Sequence, residues 1–206
     1  MVNYASFLQQ SYSQYVEFLL SKYGPGLDDY YSKKSYDRFL SGEIKTLSKK
    51  GKVSRTAEGL YCHHIDEDKQ ILISTPAAIL KFNIPYSYQT KDRLVYCNLI
   101  EHAILHIHIA IEQKNNHSNH MALGIGGYVN FIRPELIDWL SYGNVPSSDN
   151  NRTLWRYYCY EAVKMPKSDF DDLLFSMDDY LLHNYPITQD RLDEANVLYQ
   201  GQKRGH

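Results

Sequence analysis

The stretch "NLIEHAILHIHIAIEQ", residues 98–113, constrains this chain more than any other. Asn98 and, three residues later, Glu101 form a capping-box pattern. In such a box the first side chain accepts the N–H of the third helical residue, whose own side chain reaches back to the cap. The pattern predicts a helix over about 99–113, with Asn98 and Glu101 as its structural cap and "KNNHSNH" (114–120) closing it. On that helix His102 and His106 are four apart, which places both imidazoles on one face with Cβ atoms about 5–6 Å apart. Such a pair can share one metal ion. His108 falls on a different face and is read as a bystander.

Upstream, "LYCHHI" (60–65) reads as a short strand and "DEDK" as a turn. Side chains alternate along a strand, so His63 and His64 point to opposite faces. Asp66, Glu67 and Asp68 follow the strand directly and read as a solvated turn. "RLVYC" (93–97) is the second strand candidate. Elsewhere the periodicity is helical. One helix is expected over 4–23, ended by "GPG" at 24–26, and a shorter one in "DDYYSKKSYDRFL". "TPAAILKF" starts at a proline, as does "RPELIDWL" (133–140), and further helices are expected over 153–164, 168–185 and 188–200.

The composition narrows the class. The chain of 206 residues is 43% hydrophobic, enough for one ordinary core. No apolar run reaches the ~18 residues of a membrane span, and the N-terminal segment lacks the basic start and apolar stretch of a signal peptide. Cys62, Cys97 and Cys159 are odd in number and form no CxxC pair; they read as buried small residues of a reduced, cytoplasmic protein. The net charge of −2 excludes a globally basic nucleic-acid binder. It is uneven, however: "KTLSKKGKVSR" (45–55) carries five basic residues and no acidic one, and leads into the paired histidines.

"LYCHHI" followed by "RLVYCNLIEHAILH" resembles the HNH nucleases of the ββα-metal fold, in the colicin-type arrangement. The resemblance covers about residues 60–110. It implies that His63, His102 and His106 hold one divalent metal ion and that His64 is the general base. A neutral imidazole with an ordinary pKa near 6.5 suits that task, and the metal stabilises charge on the phosphate and the leaving oxygen. The family's middle asparagine belongs just before "LVY", where this chain has Arg93 preceded by Asp92. Asp92 is therefore a candidate to orient the ring of His64, and Arg93 to grip a phosphate.

The expected fold is α+β and mostly helical, with a central ββα-metal motif flanked by N- and C-terminal helices. It forms a single domain over 1–206: helices and the basic loop in 1–58, the metal core in 59–113, a helical extension in 114–206. The expected function is metal-dependent hydrolysis of DNA phosphodiester bonds. The alternative is a catalytically degenerate ββα-metal module that binds nucleic acid or protein. A third reading makes the 19 tyrosines an interaction surface. Three imidazoles favour Zn, Ni, Co or Mn on ligand softness, whereas the resemblance also admits Mg. Lys49, Lys50, Lys52 and Arg55 are the expected DNA contacts, with Arg133, Arg152 and Arg156 next. No membrane partner is expected, and the sequence leaves a homodimer open.

Overall fold

The computed structural model describes residues 3–115 and 122–204. It is mostly helical with one two-stranded antiparallel sheet, the α+β architecture expected. In chain order the helices are α1 (Tyr12–Tyr23), α2 (Lys33–Leu40), α3 (Pro76–Phe82) and α4 (Leu99–Gln113). They continue with α5 (Ile125–Gly127), α6 (Arg133–Leu136), α7 (Leu154–Glu161), α8 (Lys167–Asn184) and α9 (Gln189–Arg204). Strands β1 (Tyr61–His64) and β2 (Leu94–Cys97) pair with His63 opposite Val95 and His64 opposite Leu94. Among the described residues no helix is long and apolar enough to cross a membrane.

Helix α4 starts and runs as its cap pattern predicts. Asn98 Oδ1 accepts the Glu101 N–H at 2.9 Å, and the Asn98 N–H donates to Glu101 Oε2 at 2.8 Å. The segment "KNNHSNH" expected to close the helix lies partly outside the described residues. Leu99, Ile100, Ile104, Leu105, Ile107 and Ile109 are each at most 1% exposed. Burying one such aliphatic side chain stabilises a fold by about 1.5–3 kcal/mol, so α4 is the spine of the main core. Helix α1 packs on both α4 and β2. A second, smaller apolar cluster gathers Tyr31, Tyr36, Phe39, Ile73, Ala78, Ile79 and Ile84 from α2, α3 and the loops around them.

Three expectations are corrected. The helix expected over 4–23 is two elements, a 3₁₀ turn at Tyr4–Gln9 and then α1. Ser11 with Gln14 builds a complete capping box of its own, and that restarts the chain. The helix expected to begin at "RPEL" begins upstream, because α5 and α6 alternate with π-helical turns at Tyr128–Ile132 and Ile137–Ser141. Pro134 has no N–H to give, and a widened turn before it relieves the clash its ring would otherwise make. Finally, the tyrosines are not a working surface as a class: Tyr12, Tyr15, Tyr31, Tyr36, Tyr96 and Tyr128 are in the core.

The cap gives a stability prediction. Asn98→Ala should lower the unfolding free energy by about 1–2 kcal/mol in a urea titration, whereas Asn98→Ser should recover much of that loss because serine caps comparably. Equal destabilisation by both substitutions would show that the Asn98 amide bond to the Tyr4 hydroxyl, at 3.0 Å, matters more than the cap.

Candidate metal centre

The tight turn from β2 into α4 sets the centre. Strand β1 presents His63 toward α4, and α4 presents His102 and His106 toward β1. One ligand atom from each of the three lies within 4.8 Å of the others, and the group can hold a metal ion. The ring centroids of His63 are 5.2 Å from His102 and 5.5 Å from His106. His108 is buried elsewhere, with Nε2 against the Phe7 carbonyl at 3.1 Å. It takes no part, as expected.

The hydrogen bonds fix which nitrogens are free. The Tyr12 hydroxyl donates to the Ile65 carbonyl at 2.8 Å, so toward His63 Nε2 at 3.0 Å it acts as acceptor. The proton of His63 is then on Nε2, and its buried Nδ1 carries a lone pair with no hydrogen-bond partner. In the same way His106 Nδ1–H donates to the Gly124 carbonyl at 3.0 Å, which leaves a lone pair on Nε2. That atom faces His102 Nε2 at 3.2 Å. Two ligands on one tetrahedral ion, with bonds of about 2.0–2.2 Å, stand roughly 3.3–3.6 Å apart. Whichever nitrogen of His102 holds its proton, Nδ1 stays buried and unpartnered. A cation at the facing nitrogens would use the lone pairs of His63 and His106 and relieve the His102–His106 contact, so the donor set fits a metal. Holding the outward N–H of a ligating histidine on an oxygen, as Tyr12 and Gly124 do here, is the usual support for such a site.

Charge on the rings is disfavoured throughout. Burial and neighbouring imidazoles hold His63 and His102 well below the ordinary histidine value, and burial takes His106 down to about 4. Neutral imidazole is the form that binds metal.

Glu67 was read as part of a solvated turn, and the structure corrects this. The 3₁₀ turn Ile65–Asp68 folds it back over β1. Its Oε2 lies 3.6 Å from His106 Nε2 and 3.8 Å from His63 Nδ1, and its Oε1 lies 4.0 Å from His64 Nδ1. Its side chain is 24% exposed, and desolvation by the packed rings pushes the carboxyl up to about 7. Asp66 is corrected likewise. It is 1% exposed, and both its oxygens accept from the Arg93 guanidinium, at 2.7 and 2.6 Å. Burial raises the Asp66 carboxyl, but its hydrogen bonds from Arg93 and Lys69 outweigh this and lower it.

On the other face of β1, His64 is 2% exposed and stays outside the three-histidine group. Its ring does not meet Asp92, which is exposed; it meets Gln89, whose Oε1 lies 3.3 Å from His64 Nε2. Gln89 is fully buried, and its amide donates to the Ile73 carbonyl at 2.9 Å, so it also ties down the long β1–β2 connection. This is the contact with the His64 ring that the resemblance implies for a residue just before "LVY". It falls to a glutamine four positions before Arg93, which no spacing rule in the sequence marks. Desolvation takes His64 down to about 4. The Tyr30 ring covers it at 4.6 Å between centroids, and Lys49 sits 5.3 Å over Tyr30.

The expected DNA contacts are largely engaged within the chain. Lys50 pairs with Asp28 at 2.6 Å. Arg55 binds both oxygens of Glu58 and donates to the Tyr23 carbonyl at 2.7 Å. Arg93, read as a phosphate grip, is held by Asp66 as described. Arg133 is buried on Asp178, and Arg156 pairs with Glu135. Lys52 and Arg152 are exposed. Compared with protein-family models, with curated proteins and with solved structures, the chain finds no match.

Gly127 tests the centre without touching a ligand. Its backbone is ordinary helix, but an added Cβ would lie 2.4 Å from His106 Cε1 and 2.5 Å from Nδ1. Gly127→Ala should therefore displace the His106 ring and weaken Zn²⁺ or Mn²⁺ binding more than about 10-fold, the scale of lost orienting contacts. Helix content by circular dichroism should stay the same. Unchanged affinity in a chelator competition would show that His106 does not contribute.

Proposed function

We propose that the protein is a metal-dependent phosphodiesterase of the ββα-metal kind that cuts DNA. The observation that carries this reading is the convergence of His63 with His102 and His106 across a strand–strand–helix unit, with His64 on the opposite side of the same strand. DNA as substrate comes from the resemblance of "LYCHHI…LVYCNLIEHAILH" to HNH nucleases. The basic segment ahead of β1 supports it, because cations placed there add backbone affinity without choosing sequence.

In this reading His63, His102 and His106 hold the ion. When bound, it supplies Lewis-acid stabilisation of charge on the phosphate and the leaving oxygen. The chain supplies the proton chemistry. Gln89 Oε1 accepts from His64 Nε2–H, which leaves the Nδ1 lone pair to take the proton of the attacking water. Gln89 is thus a positioning residue, through the tautomer it selects. Lys45, Lys49 and Lys52 are the cations of the basic segment left to meet the DNA backbone.

A second reading has its own support. His64 lies under Tyr30 and the Arg93 guanidinium is occupied by Asp66, as a metal-stabilised module without catalysis would have it. One experiment separates the two: supercoiled plasmid incubated with the protein and Mg²⁺, Mn²⁺, Zn²⁺, Co²⁺ or Ni²⁺, beside a metal titration. The nuclease reading expects nicked or linear product that chelator abolishes. His64→Ala should bind metal as the parent does and lose on the order of 10²–10⁴-fold in cleavage. Metal binding with no cleavage under any ion would leave the non-catalytic module standing.

A further inference from the structure

The three imidazoles do not complete the environment of the ion. Four-coordinate sites take a fourth donor, and the choice between water and a carboxylate decides the charge and the metal preference of the site. Glu67 Oε2 stands 3.6 and 3.8 Å from two of the three ligand histidines, close to the ligand–ligand separation of a tetrahedral ion. The nearer surface of His63 is its Nδ1, the lone pair that no hydrogen bond uses. Glu67 has no cation of its own: Lys69, two residues on, is taken by Asp66, and so is Arg93. Apart from the backbone N–H of His64, this carboxylate faces imidazole lone pairs with no cationic side chain beside it, and a divalent ion would supply that charge. Its other oxygen faces His64, so the same side chain sits between the metal group and the proposed base.

We infer that Glu67 is the fourth protein ligand of the ion, which makes the centre a three-histidine, one-carboxylate site that leaves positions for a phosphate on an ion of higher coordination number such as Mn²⁺. The inference rests on reading His63, His102 and His106 as a metal centre. Glu67 is not among the three donors that already converge, and a rotation about its own side-chain bonds brings the carboxylate onto the ion. A hard oxygen donor adds a negative charge to an otherwise neutral ligand set. It therefore moves the preference toward Mn²⁺, compared with the purely imidazole set.

The test uses the full chain, stripped of metal and titrated with Mn²⁺ alone and Co²⁺ alone. The visible absorption of the Co²⁺ form reports the ligand number and geometry. The parent, His106→Ala, Glu67→Gln and Glu67→Ala are compared, with urea unfolding curves to confirm that each folds. The expected result is that His106→Ala abolishes binding. Both Glu67 variants should bind Mn²⁺ at least about 10–100-fold more weakly, and the saturated Co²⁺ spectrum should change in band position and intensity. Loss of binding in His106→Ala with parent-like affinity in Glu67→Gln would overturn the role of Glu67 and leave the histidine centre intact. So would weaker binding with an unchanged saturated spectrum, which marks a through-space charge and not a bond. No binding by the parent would overturn the centre itself, and the role of Glu67 with it.

Discussion

A single residue separates the second strand from the central helix. Cys97 ends β2, Leu99 begins α4, and Asn98 must turn the chain between them. The turn holds because Glu101 is anchored on three sides at no solvent exposure. One oxygen takes the Asn98 N–H, and the other takes Lys22 at 2.7 Å and the Tyr23 hydroxyl at 3.3 Å. A buried carboxylate without such partners would cost several kcal/mol. With them, it locks the start of α4 against α1 and against β2. Everything functional follows from that lock. Once α4 is fixed in phase and height beside the sheet, His102 and His106 face β1, and the register of β1 on β2 brings His63 to meet them.

The same lock explains how α4 can carry histidines at all. A helix buried nearly all round should be apolar nearly all round, and α4 is, apart from its cap, its histidines and Glu112 and Gln113 in its last turn. Each buried imidazole needs partners for two nitrogens, and the surroundings supply only some of them. Phe7 serves His108, Gly124 serves one nitrogen of His106, and Tyr12 serves one of His63. A remaining nitrogen of His63, one of His102 and one of His106 come within 4.8 Å of one another. Leaving a buried polar group unpaired costs about 1–3 kcal/mol. Other buried polar atoms, such as the Tyr15 hydroxyl, also lack a partner, so the mark of the candidate site is the convergence of three imidazoles from β1 and α4 within ligand distance of one another.

How much of this the sequence shows depends on the range of the interaction. The cap of α4, the spacing of His102 and His106 and the alternation of His63 with His64 are local, set within four residues, and they are legible. The metal group follows from them once the two strands are paired. Glu67, Gln89, Tyr12 and Gly127 are not legible, because each acts through a contact that only the tertiary structure creates. Tyr12 reaches His63 across 51 positions and Gln89 reaches His64 across 25. The acidic run at 66–68 looks uniform in sequence, yet its members part: Asp66 turns inward to Arg93 and Glu67 folds over the histidines. A 3₁₀ turn makes that division, because its three-residue period sends neighbouring side chains in different directions. The asparagine-like role shows the same limit. The resemblance implies a polar residue at His64 just before "LVY", and the fold places the Gln89 amide there instead, outside the position where a pattern would search.

The two halves of the site differ in how firmly they are held. The metal half is built on α4 and β1 and framed by the main core through α1. The half around His64 borders the smaller cluster, and Tyr30, which covers the ring, packs on that cluster alone. Under the proposed nuclease reading, a DNA phosphate that approaches the metal from the side of Glu67 would also have to reach His64, so Tyr30 would have to leave the ring. Lys49 above Tyr30 offers a driving force: a phosphate competes for the ammonium more strongly than an aromatic face does, since an exposed cation–π contact is worth only about 0.5–1 kcal/mol. The three histidines of the metal group start from β1 and α4, whose backbones are held by the main core. In that proposed reading catalysis would place its rigid demand, the metal geometry, on the main core. Its mobile demand, access to the base, would fall on the segment whose packing is smallest, where local opening takes the least free energy.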